Sequence, residues 1–136
     1  MRQADPGLNL TTKRTRKREF LGEMERVVPW AARVALITPY APEGRRGRPP
    51  WAVETMLRVH LMEQWSTLSD PAMEDALHDM SLVREFAGLN WDTAEPDDTT
   101  ILRFRRLLEE HKLAPQILAL GNELLGAKGL WRWMPH

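Results

Sequence analysis

Arginines and threonines at helical spacing carry the most suggestive chemistry in this chain. Between Asp97 and His111 the order of residue types puts Thr99, Arg103, Arg106 and Glu110 on one side of a helix. Thr100, Ile101, Phe104, Leu107, Leu108 and His111 fall on the other, with Arg105 between the two faces. A guanidinium is a planar fork of donors that can hold a guanine edge or a phosphate through two bonds at once. A capped helix with hydroxyls in its first turn and arginines one and two turns on therefore has the build of a helix that enters a major groove. An ordinary surface helix with Arg106 and Glu110 paired four residues apart has the same pattern.

Two further cationic stretches fit the same chemistry. The run Lys13, Arg14, Arg16, Lys17, Arg18 can neutralise several phosphates, or can be a solvated charge run. Arg45, Arg46 and Arg48 surround an Arg-Gly-Arg-Pro core of the kind that lies in a narrow minor groove. A basic loop leading through Pro49 and Pro50 into a buried helix explains those residues equally well.

Catalysis finds less support. Glu74, Asp75 and Asp79 fall on the outer side of one amphipathic helix, and Asp97 and Asp98 are placed as helix caps. No glycine-rich phosphate loop, no metal-spaced histidine pair and no nucleophile signature is present, so no catalytic residue, metal site or cofactor is expected. His60 faces a core stripe and His111 ends a helix, positions that suit structural histidines. With no cysteine there are no disulfides and no thiolate metal sites.

The element around which these groups must be arranged is Ala52–Leu68. At helical repeat Val53, Met56, Leu57, His60, Leu61, Gln64, Trp65 and Leu68 share a broad side, and Val59 and Met62 lie well round from it. The expected bare strip is only Thr55, Arg58 and Ser66. A helix this apolar requires several others around it, which predicts an all-α, compact multi-helix domain with a central buried helix and a helix-turn-helix-like DNA-binding portion. The wrapping elements read as follows. Glu19–Val28 forms a first helix burying Phe20, Leu21 and Met24, and Trp30–Ile37 a second with Val34, Leu36 and Ile37 inward. After a loop over 38–50 and the central helix, Ser69 or Asp70 caps a fourth helix burying Met73, Leu77 and Met80. Ser81 caps a short fifth that stops at Gly88, Asp97 or Asp98 caps the arginine-bearing sixth, and Pro115–Leu125 forms an apolar last helix.

The 136 residues are one domain's worth, and 43% hydrophobic content with six Trp excludes a disordered chain. No long apolar run and no leader layout appears, so a cytoplasmic protein with no membrane contact is expected. The formal net charge of zero conceals a division: +6 over 1–60, −9 over 61–98 and +3 over 99–136. Either two basic segments form a nucleic-acid face backed by an acidic one, or acidic and basic helices pair with each other.

Read together, the stretches Thr15-Arg16-Lys17, Phe20-Leu21, Met24-Glu25, Pro29-Trp30, Gly47-Arg48-Pro49-Pro50 and Glu54 to His60 carry a family resemblance. Leu68-Ser69-Asp70, Ala72 to Leu77, Pro96-Asp97, Thr99-Thr100-Ile101, Phe104-Arg105 and Leu107-Leu108-Glu109 continue it. In these the chain resembles the InsH-type N-terminal domain of bacterial insertion-sequence transposases, the IS-five family, from about Lys13 to Leu130. The resemblance implies a double-stranded DNA partner, the terminal inverted repeats of a mobile element. In full-length relatives it also implies cutting and joining by a metal-dependent Asp-Asp-Glu triad, of which no residue here is a match.

The domain reading is thus a loose arm at 1–12, the helical domain at 13–130 and a divergent tail at 131–136. Trp133-Met134-Pro135 must be encoded TGG ATG CCN, whose shifted frame gives Asp-Ala, resembling the strand that brings the family's first catalytic Asp. A frame-shifting deletion near Leu130 would account for it. The expected function is a DNA-binding module for transposon ends, with Lys13 to Arg18, Arg45 to Arg48, Thr99, Thr100, Arg103 and Arg106 as contacts. The alternatives are a fragment that pairs with itself or with full-length transposase, or a remnant without function.

Overall fold

In the computed structural model, residues 15–41 and 51–117 are described. The expected arm at 1–12, Lys13 and Arg14, the loop residues 42–50 with Arg45, Arg46 and Arg48, most of the last helix and the 131–136 tail lie outside them. Among the described residues there are six α-helices: α1 Arg16–Val27, α2 Trp30–Ile37, α3 Val53–Ser66, α4 Asp70–Asp79, α5 Ser81–Ala87 and α6 Asp98–Glu110. A 3-10 turn, Thr38–Tyr40, follows α2, and residues 114–117 begin a further helical turn. No strand occurs among the described residues, so the all-α expectation holds.

The helix α3 is the centre. Leu57 and Val59 are fully enclosed, and Leu61, Met62, Met56 and Trp65 are nearly so. Phe20 and Met24 of α1, Ile37 of α2, Met73 and Leu77 of α4, Phe86 of α5 and Ile101 and Leu108 of α6 belong to the same core. Rings meet edge to face along it, Phe20 with Trp65 at 5.3 Å and Trp65 with Phe86 at 6.2 Å between centroids.

Local sequence sets the ends of these helices. Ser69 accepts the Ala72 N–H with Pro71 in the first turn of α4, and Asp97 accepts the Thr100 N–H at the start of α6. Gly88 closes α5 at φ 86°, a left-handed conformation suited to glycine. Two expectations are corrected at the termini. Met80, not Ser81, occupies the cap position of α5, and it offers no side-chain bond. Thr15 caps α1 by accepting the Arg18 N–H, so the helix starts at Arg16 rather than Glu19.

The larger correction concerns Arg58, expected on a bare strip. It is 8% exposed. Its guanidinium donates to both oxygens of Glu25 at 2.6 and 2.9 Å, to Glu54 at 2.9 Å and to the Phe86 carbonyl at 3.1 Å. The Trp30 and Phe86 rings cover it at 4.1 and 5.0 Å from their centroids. The exposed positions of α3 are Glu54 and Gln64, the latter expected inward.

Helix α3 ends on Thr67 at φ 57°, where the Thr67 and Leu68 N–H groups both return to the Glu63 carbonyl. A β-branched residue is strained there. Thr67→Gly is expected to raise stability by about 0.5–1 kcal/mol, because the cap keeps its bonds and loses the Cβ clash. Arg58→Ala is expected to lower it by about 1–3 kcal/mol, since the buried Phe86 carbonyl and the ring faces lose their partner while the half-exposed Glu25 and Glu54 rehydrate. Urea denaturation of both variants beside the parent chain checks the two signs.

Candidate nucleic-acid interface

The arginine-bearing helix α6 is fixed to the body along one face and at one end. Ile101 and Leu108 are buried, Phe104 and Leu107 half-buried, and Pro96, fully enclosed, leads in. The Asp98 N–H donates to Glu74 of α4 at 2.9 Å. Arg105 reaches Asp70 through two bonds of 2.5 and 3.0 Å, and Glu63 at 3.5 Å. The lead-in loop over 88–97 is held by Arg84, whose guanidinium donates to the carbonyls of Leu77, Asn90 and Thr93 and to Glu95. The indole N–H of Trp51 donates to the Ala94 carbonyl at 3.3 Å.

On the opposite face Thr99, Arg103, Arg106 and Glu110 are all exposed, as their spacing predicts. Arg103 and Arg106 form no ion pair among the described residues, so the alternative of an Arg106–Glu110 pair is not realised. The two threonines are engaged differently. Thr99 donates weakly to Asp98 at 3.4 Å, and Thr100, half-buried, serves the Asp97 cap. The Asp97 carboxyl is held below its ordinary value chiefly by the Thr100 N–H, with the Thr100 hydroxyl and the Arg103 charge adding to it. The start of α6 is therefore acidic, and its cationic part begins at Arg103.

The arm residues that are described do not form one patch. Arg16 is exposed, Lys17 borders a groove between α1 and α4, and Arg18 lies 3.6 Å from Glu85. Starting the helix at Arg16 turns three consecutive cations to three directions, about 100° apart. The acidic middle thus pairs with the flanking basic segments through Arg18 and Arg105, whereas Arg58 pairs within the first segment and Arg84 within the acidic one, and Arg103 and Arg106 are left facing outward. Sequence reasoning missed Arg84 altogether, and also Trp91, which is 90% exposed in the loop that Arg84 holds.

Behind α6 lies a titratable cluster. The Glu63 carboxyl is 2% exposed and is pushed up to about 8 by burial and by the neighbouring Asp70 carboxylate, against the pull of Arg105. Its Oε2 has no partner, and protonation supplies the donor it needs toward Asp70. His60, buried beside the Phe104 ring, is lowered to about 4, mainly by desolvation and further by the charge of Arg105. Asp70 is lowered, chiefly by Arg105. Among the described residues no group of three or more His, Cys, Asp or Glu is placed to hold a metal ion. No helix among them is long and apolar enough to cross a membrane.

Compared with known proteins, residues 9–107 match the family described as Transposase domain (DUF772). No solved structure matches the chain.

The cluster gives a pH dependence of defined sign. A folded-state value of about 8 for Glu63, against 4.5 unfolded, means the folded chain keeps a proton that the unfolded chain releases, so stability falls as pH rises from about 4.5 to 8. His60 acts oppositely between about 4 and 6.5, because there the unfolded chain takes up the proton. The two offset below 6.5 and Glu63 stands alone above it. Stability is expected to decline by about 1–2 kcal/mol from pH 6.5 to 8. In Glu63→Gln that slope should vanish, which urea midpoints at the two pH values will show.

Proposed function

The chain belongs to this family of transposase domains, and on that premise we propose that it is the DNA-binding module of an InsH-type insertion-sequence transposase, holding the terminal inverted repeats of its element. The observation that carries the reading is the division among the arginines. Arg58, Arg84 and Arg105 are engaged internally, whereas Arg103 and Arg106 stand exposed on one face of a helix that is clamped on the other. Exposed guanidinium groups that form no ion pair among the described residues meet a duplex at low desolvation cost, and a clamped helix holds them in fixed register.

In this reading α6 lies along a major groove with Arg103 and Arg106 toward base edges or phosphates. Thr99 is the first-turn contact, and Thr100 is placed to support the cap more than to touch a base. The acidic start of α6 keeps phosphates away from Asp97 and Asp98 and so favours one orientation along the groove. Arg16, Lys17 and Arg18, with Lys13, Arg14, Arg45, Arg46 and Arg48, contribute contacts to the sugar–phosphate backbone or the minor groove. The module itself carries no catalytic role.

A second reading, pairing with another transposase chain, is favoured by Trp91, a bulky side chain held outward on a restrained loop. Size-exclusion chromatography with light scattering, on the parent and Trp91→Ala, addresses it: a dimer that the substitution dissociates supports pairing, and a monomer at all concentrations opposes it.

For DNA, mobility shifts of the element's own terminal repeat and of a scrambled duplex are compared at about 50 and 200 mM salt. Binding should weaken steeply with salt and favour the terminal repeat. Arg103→Ala and Arg106→Ala should each lower the salt slope by about one or narrow the preference for the repeat, with stability altered by less than about 0.5 kcal/mol. Equal affinity for both duplexes, or full affinity in the double variant, sinks the assignment.

A further inference from the structure

Between α1, the end of α3 and α4 runs a groove of about 330 Å³. Leu21, Met62, Met73 and Met80 make it apolar inside. Lys17 of α1 and Asp75 and Asp79 of α4 also line it. Both aspartates are exposed, and neither forms an ion pair among the described residues. We propose that this groove is the seat of the chain's own N-terminal segment, residues 1–14, with Leu8 and Leu10 against the apolar interior and Lys13 and Arg14 beside Asp75 and Asp79.

Three observations favour that occupant. The segment joins the described chain at Thr15, two residues before Lys17, which lines the groove. Leu10 precedes Thr15 by five residues, which an extended chain spans in up to about 17 Å, enough to reach the groove's interior. Leu8 and Leu10, two apart, fall on the same side of an extended backbone, as a strip of apolar side chains requires.

The charges decide between this occupant and a nucleic acid. Two exposed carboxylates that form no ion pair among the described residues repel phosphate and attract the Lys13-Arg14 pair that follows the leucines. The docked segment would hold those two cations over acids, so that a duplex engaging them must first displace the segment. The docking itself does not depend on DNA binding, and its test uses none.

The chain has no cysteine, which makes a cross-linking test clean. In the full chain, Leu10→Cys is paired with Ala76→Cys, a half-buried groove residue, and oxidised at low protein concentration. Ala72→Cys, also on the groove, replaces Ala76→Cys if circular dichroism shows that the latter does not fold. Leu10→Cys with Ala31→Cys, an exposed position on α2 away from the groove, is the reference pair. Docking predicts a monomeric disulfide forming at least about tenfold faster than in the reference pair. It also predicts that adding Asp75→Asn and Asp79→Asn slows this by about threefold to tenfold, the range of two surface ion pairs. A disulfide-linked dimer would assign the groove to a second copy's arm, and a rate equal to the reference pair would leave it without this occupant. Either result overturns the proposal, as does a rate indifferent to the two aspartates.

Discussion

Four helices meet at one guanidinium. Arg58 leaves the middle of α3, pairs with Glu25 of α1, bonds the Phe86 carbonyl of α5 and lies against the Trp30 ring of α2, with Glu54 one turn back on its own helix. Burial alone would lower its basicity, but the bonds to Glu25 and Glu54 outweigh that and leave it raised, while Arg58 holds the Glu25 carboxyl below the ordinary range. A buried ion is seldom the cheapest way to gain stability, since an apolar residue of similar size often does as well. What it adds is geometry. A fork of donors accepts its partners from few directions, so helices that could slide on a purely apolar contact are held in one register.

The same logic recurs twice. Arg84 draws the lead-in loop onto α5, and Arg105 draws α6 onto the α3–α4 corner. Part of the acidic middle is engaged at these junctions, through Asp70, Glu95 and the buried Glu63, while Asp75 and Asp79 stay exposed. The two ideas raised by the charge division are therefore not rivals. Internal pairing removes particular arginines from the surface and, by doing so, isolates Arg103 and Arg106 as the cations of α6 that still face solvent. Net charge of zero is compatible with a locally cationic face because screening confines each charge's reach to about 8–10 Å.

Much of the frame was legible from local signals. The apolar breadth of Val53 to Trp65 marked the central helix, Ser69, Gly88 and Asp97 marked ends, and the Thr99–Arg103–Arg106 spacing marked an outer face, because each depends on residues within a turn or two of one another. What failed was non-local. Arg58 reads as a surface residue on any helical wheel, since Glu25 lies 33 positions away and the Phe86 carbonyl 28 away. Its i−4 neighbour Glu54 was the one available hint. The basic run misled for another reason: Thr15, a good cap, pulls the helix start back to Arg16 and turns three cations about 100° apart, so they do not form one patch. Glu63 drew no notice because a charged residue in an apolar stripe looks like an interruption, whereas its proton makes it part of the core.

These junctions also decide how α6 presents itself. Its start is tied to α4 through Glu74, its middle to the corner through Arg105, and its lead-in loop to α5 through Arg84 and to Trp51. Every tie lies on the inner face or at the acidic end, none at Arg103 or Arg106. A helix restrained in this way loses little backbone freedom on meeting a partner, and the ordering cost left is that of the two long side chains. Selectivity would then come from where the clamps aim the helix, not from its two arginines alone. If α6 is the helix that meets DNA, as proposed, changing Arg105 or Glu74, neither of which faces outward, would bear on recognition as directly as changing a contact.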